Sequence, residues 1–145
     1  MPSIQQQMTK HHRECDEILA DAEAPLAAKD WPRYSTKWQA FVDELFQHLA
    51  MEEEVLFPAF EQATGITQGP TMVMRSEHEQ MRAYVGQMNQ AIEVEDQERA
   101  MGLVESLMLL IQQHNMKEEQ MLYPMCDMRI DDSEDVLIKM NAQGK

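Results

Sequence analysis

The chain carries one block twice. HLAMEEEVLFP begins at His48 and HNMKEEQMLYP at His114, and the interval between those two histidines is 66 residues. The same interval carries His12 onto His78, and Leu56, Phe57 and Pro58 onto Leu122, Tyr123 and Pro124. Every member of one His…His-x-x-x-Glu set therefore has a counterpart in the other. Four histidines and two glutamates in two matching halves point to a two-metal site built by duplication, a demand that few folds can meet.

The spacing between breakers predicts long helices. A first helix starts at a Ser3 cap and runs to about Glu23, with Pro25 ending it. Asp30-Trp31-Pro32 opens a second helix that passes His48 to about Gln62; Pro58 should kink it, and Gly65 follows its end. Gly69-Pro70 opens a third, to about Glu93, and a fourth runs from near Asp96 to about Cys126, with Pro124 near its end. Asp131-Asp132-Ser133-Glu134 reads as the cap of a short last helix, from Glu134 to about Met140. The expectation is an all-α single domain over residues 1–145, its main body at about 4–127 and a tail at 128–145.

The faces of these helices separate core from chemistry. The inward series of the second helix is Trp38, Phe41, Leu45, His48, Glu52 and Val55, at the alternating three- and four-residue steps of a bundle seam. The fourth gives Val104, Leu107, Ile111, His114, Glu118 and Met121 in the same register; the third gives Met74, His78, Met81, Val85, Met88 and Ile92. The first gives Met8, His12, Cys15, Leu19 and Ala22. Ionised carboxylates buried in such a seam are costly unless countercharged. Two divalent cations would supply the charge, and imidazole nitrogen with carboxylate oxygen suits iron or manganese. Residues four apart share a helix face, so His48–Glu52 and His114–Glu118 each present a ligand pair. One inward histidine is more often a hydrogen-bonded core residue, and one HxxxE carries little information; six such residues related by one interval are hard to obtain from packing alone.

Other residues read more plainly. His11 falls beside the seam as a surface residue, equivalent to Glu77. Glu53, Glu54 and Glu119 are solvated or stand behind the ligands, with Glu119 a minor rival to Glu118. The Met8, Met74, Met81 and Met88 lining is adaptable packing, Cys15 a small buried hydrophobe, and Phe57 and Tyr123 are packing residues at equivalent positions.

Composition excludes some partners. A net charge of −14 argues against nucleic acid and anionic membranes. No apolar run approaches the roughly 20 residues of a membrane span, and no signal peptide opens the chain. Two cysteines without CxxC spacing fit a reducing cytoplasm, which is the expected location.

As a set, His12, HLAMEEEVLFP, His78 and HNMKEEQMLYP resemble the hemerythrin-like family, the HHE cation-binding domains. The resemblance implies an antiparallel up-down four-helix bundle, here followed by a short C-terminal helix and built from two duplicated helix pairs. It also implies a bridged di-iron centre of two non-haem Fe ions. By position, His12 and His48 would serve one iron, His78 and His114 the other, and Glu52 and Glu118 would bridge. Oxygen-carrying hemerythrins have a second histidine on the third helix, where this chain has Met74 in the seam and Arg82 beside it. They also place an aspartate five residues after the fourth-helix histidine, where this chain has Glu118 at four. The pattern is more similar to the di-iron domains of bacterial iron–sulfur cluster repair proteins, which usually carry a further N-terminal cysteine-bearing domain. The implied function is therefore the handling of O2, NO or peroxide, with repair as an analogy. The alternative is an O2- or iron-binding carrier or sensor without turnover. The electron donor, any homo-oligomer and whether the chain is an enzyme stay open.

Overall fold

Side-chain caps at Ser3, Asp30, Asp96 and Asp132 start four of the helices close to where the sequence places them. The structure is a computed structural model, and it describes residues 2–143. Helix α1 spans Ile4–Ala20; the Ser3 hydroxyl accepts from the Gln6 amide while the Gln6 side chain accepts from the Ser3 amide, each at 3.0 Å. The next two free amides of α1, at Ile4 and Gln5, donate to the Asp127 carboxylate at 2.9 and 3.1 Å. An anion thus sits at the positive end of the helix dipole and ties the two ends of the fold together.

Pro25 does not end the first helix. Helix α1 stops at Ala20, and Pro25 lies in the first turn of a separate short helix, α2, Glu23–Ala27, where a missing amide costs nothing. Helix α3, Trp31–Met51, begins at an Asp30 cap with Pro32 in its first turn. It runs through a π-helical turn, Glu52–Leu56, into α4, Phe57–Thr64, which ends at Gly65 with φ of 73°. Helix α5 is Pro70–Glu93. Helix α6, Gln97–Lys117, passes through a second π-helical turn, Glu118–Leu122, into α7, Tyr123–Arg129; α8 is Ser133–Ala142, capped by Asp132.

The duplication extends to the connections. Lys29 and Glu95, equivalent under the 66-residue repeat, are the two non-glycine residues with positive φ among the described residues, at 56° and 54°. Each precedes an aspartate cap, Asp30 or Asp96, whose amide donates at 2.9 Å to the carbonyl of Pro25 or Ala91 respectively.

The π turns correct the expected seam. Each inserts one residue into the helical register, so beyond Glu52 and Glu118 the inward face moves on by one position. Leu56, Phe57, Leu122 and Tyr123 are buried, whereas Met121, expected inward, is 62% exposed and Val55 only half-buried. Each turn sits just before a proline that lacks the amide a regular helix would need, and Pro58 is accommodated this way.

Two apolar clusters form the core. One joins Cys15, Trp38, Phe41, Leu45, Met81, Val85, Met88, Leu107 and Ile111. The other joins Met8, Leu56, Phe57, Met74, Leu122, Tyr123 and residues of α8. Along α1 and α5 the chain passes from the second cluster to the first; along α3, and from α6 through its π turn into α7, it passes from the first to the second. On all four helices the crossing falls at the predicted polar residues, which make a buried layer between the clusters.

Candidate metal centre

The polar layer gathers all six residues singled out from the sequence. Helix α1 contributes His12, α3 His48, α5 His78 and α6 His114; Glu52 and Glu118 are the first residues of the two π turns. All six are buried, with Glu52, His78 and Glu118 wholly inaccessible. They fall into two groups, His12–His48–Glu52–Glu118 and Glu52–His78–His114–Glu118, and within each group the facing ligand atoms lie within 4.8 Å of one another.

Both carboxylates belong to both groups. Glu52 faces Nε2 of His48 at 3.6 Å and Nε2 of His78 at 3.1 Å. Glu118 faces Nε2 of His12 at 3.1 Å and of His114 at 3.2 Å. Despite these short approaches, Glu52 Oε1 and Nε2 of His78 and His114 have no aligned hydrogen-bond partner, and neither has the second Glu118 oxygen, Oε2. Buried polar atoms left this way are rare. Ligand atoms gathered within 4.8 Å of one another, several of them without a hydrogen bond, are an arrangement that a bound cation would satisfy.

Each imidazole is oriented from behind. Nδ1 of His12 lies 2.8 Å from Glu119, Nδ1 of His78 2.7 Å from Glu53, and Nδ1 of His114 2.9 Å from Glu77. Nδ1 of His48 lies 2.8 Å from Nδ1 of His11, whose Nε2 is 3.0 Å from Glu44. An outward Nδ1–H leaves the Nε2 lone pair pointing inward, as a metal ligand requires. The outer groups are themselves held: Arg82 grips both Glu53 oxygens, at 2.8 and 3.0 Å, and Lys117 pairs with Glu77. Glu53 and Glu119 thus stand behind the ligands, whereas His11 is not the surface residue expected, its side chain being only 15% exposed.

The electrostatics follow from burial against opposing charge. Burial alone would lower His12 and His78, but the hydrogen bond to Glu118 for the first, and the nearby Glu52 carboxylate with the bond to Glu53 for the second, raise both to about 9. Burial prevails at His48, which is lowered. Burial would raise Glu52, yet the His48 charge beside it holds it well below the usual carboxylate range. Glu53 goes to about 2, because His78 and Arg82 outweigh burial.

Tyr123, read from the sequence as a packing residue, reaches this layer with its hydroxyl. Its hydroxyl lies 2.6 Å from Glu52 Oε2, 2.9 Å from Glu118 Oε1, 3.1 Å from His12 Nε2 and 3.3 Å from His48 Nε2. Its repeat counterpart Phe57 stacks on His78 at 5.5 Å with no polar atom to offer. The one available signal was that a phenol replaces a phenyl at equivalent positions.

A helical fold with a buried layer of shared carboxylates and back-supported imidazoles defines a cation-binding helical domain. The family model described as the hemerythrin HHE cation binding domain matches residues 3–126, and the chain belongs to that family. No curated protein and no solved structure matches it significantly. Among the described residues, no helix is long and apolar enough to cross a membrane.

Proposed function

We propose that this chain is a non-haem di-iron protein that handles small oxidants or diatomics, namely O2, NO or peroxide. One observation supports the two-metal reading above the others: Glu52 and Glu118 each face one histidine of either group, the placement of bridging carboxylates. In this reading His12 and His48 hold one iron and His78 and His114 the other, within an antiparallel up-down four-helix bundle. The opposite order of the two core clusters along neighbouring helices supports that topology. Residues 1–145 are taken as one domain.

Bound iron would supply redox and Lewis-acid chemistry. The chain's own residues do the rest. The outer carboxylates fix each imidazole, and the two apolar clusters keep bulk water from the layer. A cavity of about 20 Å³ beside it, lined in part by His12, Cys15, His48 and His114, is close to the room that one water-sized molecule needs. That size supports a diatomic or peroxide rather than an organic substrate. It also supports the alternative of an O2-binding carrier or sensor without turnover. A cytoplasmic setting, an electron donor and a role by analogy in iron–sulfur cluster repair belong to the same proposal.

The test is optical. Protein loaded with Fe(II) under argon is exposed separately to O2 and NO. Rapid oxidation in air, or consumption of NO, is the expected outcome. A stable spectrum that reverses on removing O2 would replace the redox reading by carriage.

A further inference from the structure

The Tyr123 hydroxyl has more neighbours than a hydroxyl can serve. It owns one proton and can accept about two more, yet four polar atoms surround it at 2.6 to 3.3 Å. Two of the four, on Glu52 and Glu118, are carboxylate oxygens that compete for the single proton. The same four distances have a simple meaning around a cation. First-row and similarly small ions bind nitrogen and oxygen at about 2.1 Å. Neighbouring vertices of an octahedron are then roughly 3 Å apart, and every vertex has four such neighbours.

We propose that Tyr123 Oη is itself a metal ligand, to the ion held by His12 and His48; the proposal rests on the two-metal reading above. Coordination exchanges the O–H bond for an O–metal bond, and the proton leaves to bulk water, as it does when metals bind protonated ligands. The ring positions support a local difference rather than a general one. Tyr123 lies 5.5 Å from the His12 ring, and Phe57 lies 5.5 Å from the His78 ring, so the two halves differ at this point by one oxygen. The duplicated site is therefore chemically unequal. The ion at His12 and His48 has an additional protein ligand, and the ion at His78 and His114, beside Phe57, has none in that place.

The experiment compares wild type, Tyr123→Phe and Phe57→Tyr, each loaded with Fe(II) under argon and oxidised in air. Iron per chain, visible absorption and resonance Raman spectra are measured. Wild type should bind two irons and show a phenolate-to-iron(III) charge-transfer band with tyrosinate vibrations. Tyr123→Phe should keep its iron and lose the band, and Phe57→Tyr should add intensity by placing a second phenol beside His78. Two irons bound by wild type without the band, or a band that survives in Tyr123→Phe, would overturn the ligand assignment while leaving the two-metal reading intact. Wild type that binds no iron would overturn both. The wild-type spectrum decides the matter even if Tyr123→Phe fails to fold.

Discussion

Glu53 and His78 are bonded at 2.7 Å, and the 66-residue repeat maps that pair onto Glu119 and His12 at 2.8 Å. The duplication therefore preserves the residues behind the imidazoles as well as the imidazoles themselves. Carboxylates in this position orient the ring and raise its basicity, and their loss typically costs roughly 10- to 100-fold in metal affinity. Glu53→Ala and Glu119→Ala should each weaken iron binding by about that factor. Glu54→Ala, on an exposed neighbour, should leave it unchanged. Chelator competition measures all three, and equal affinities across the set would remove the outer carboxylates from the account.

Metal-free protein should lose stability in alkali. His12 and His78 go from an ordinary 6.5 to about 9 in the folded chain, so their protonated forms are favoured by folding. Their contribution is complete below 6.5 and is lost as pH rises through about 9. Glu53, lowered from 4.5 to about 2, contributes above 4.5 and loses that contribution as pH falls towards 2. His48, lowered by burial, contributes in the opposite sense to His12 and His78, and only on the acid side. Urea unfolding of chelator-treated protein should give a lower midpoint at pH 9 than at pH 6.5. A flat profile between those values would mean that the histidines are not paired with the glutamates as described.

Iron should stabilise the fold. The metal-free layer leaves four buried polar atoms of Glu52, His78, His114 and Glu118 without an aligned hydrogen bond, and a ligand that binds only the native state adds stability by mass action. At free Fe(II) a hundredfold above its dissociation constant the gain for one site is about 2.7 kcal/mol, which a melting curve detects readily. Coincident melting of the two forms would mean that the layer satisfies itself without metal.

Lys29 and Glu95 carry left-handed backbone that glycine adopts freely. A side chain there costs roughly 1–2 kcal/mol, partly offset by the smaller entropy it loses on folding. Lys29→Gly and Glu95→Gly should each raise stability by up to about 1 kcal/mol in urea titration, without changing metal content. A loss of stability in both would show that the side chains make contacts that outweigh the strain.

The repeat made the inner layer legible, because six polar residues at seam positions have little to do in a helical core except meet one another. The surrounding groups were harder to read. His11 and Glu77 occupy equivalent places behind His48 and His114 but are chemically unlike, so the repeat gave no sign that both act as partners of an imidazole. The π turns were hidden because three- and four-residue steps look the same with or without one inserted residue, and the shift shows most clearly in the exposure of Met121 beside the burial of Leu122. Tyr123 read as packing because its ring does pack, and its hydroxyl acquires meaning only where α3 and α6 bring Glu52 and Glu118 together. Pro25 looked like a terminator because a proline in a first turn and one beyond a last turn are indistinguishable in sequence.

The shared carboxylates can be tested by counting metal. Glu52 belongs to both ligand groups and His12 to one. Iron-reconstituted wild type should contain two irons per chain, His12→Ala close to one, and Glu52→Ala should lose affinity at both positions together. Wild type that saturates at a single metal, or Glu52→Ala that retains one site at full affinity, would contradict the bridged two-metal centre.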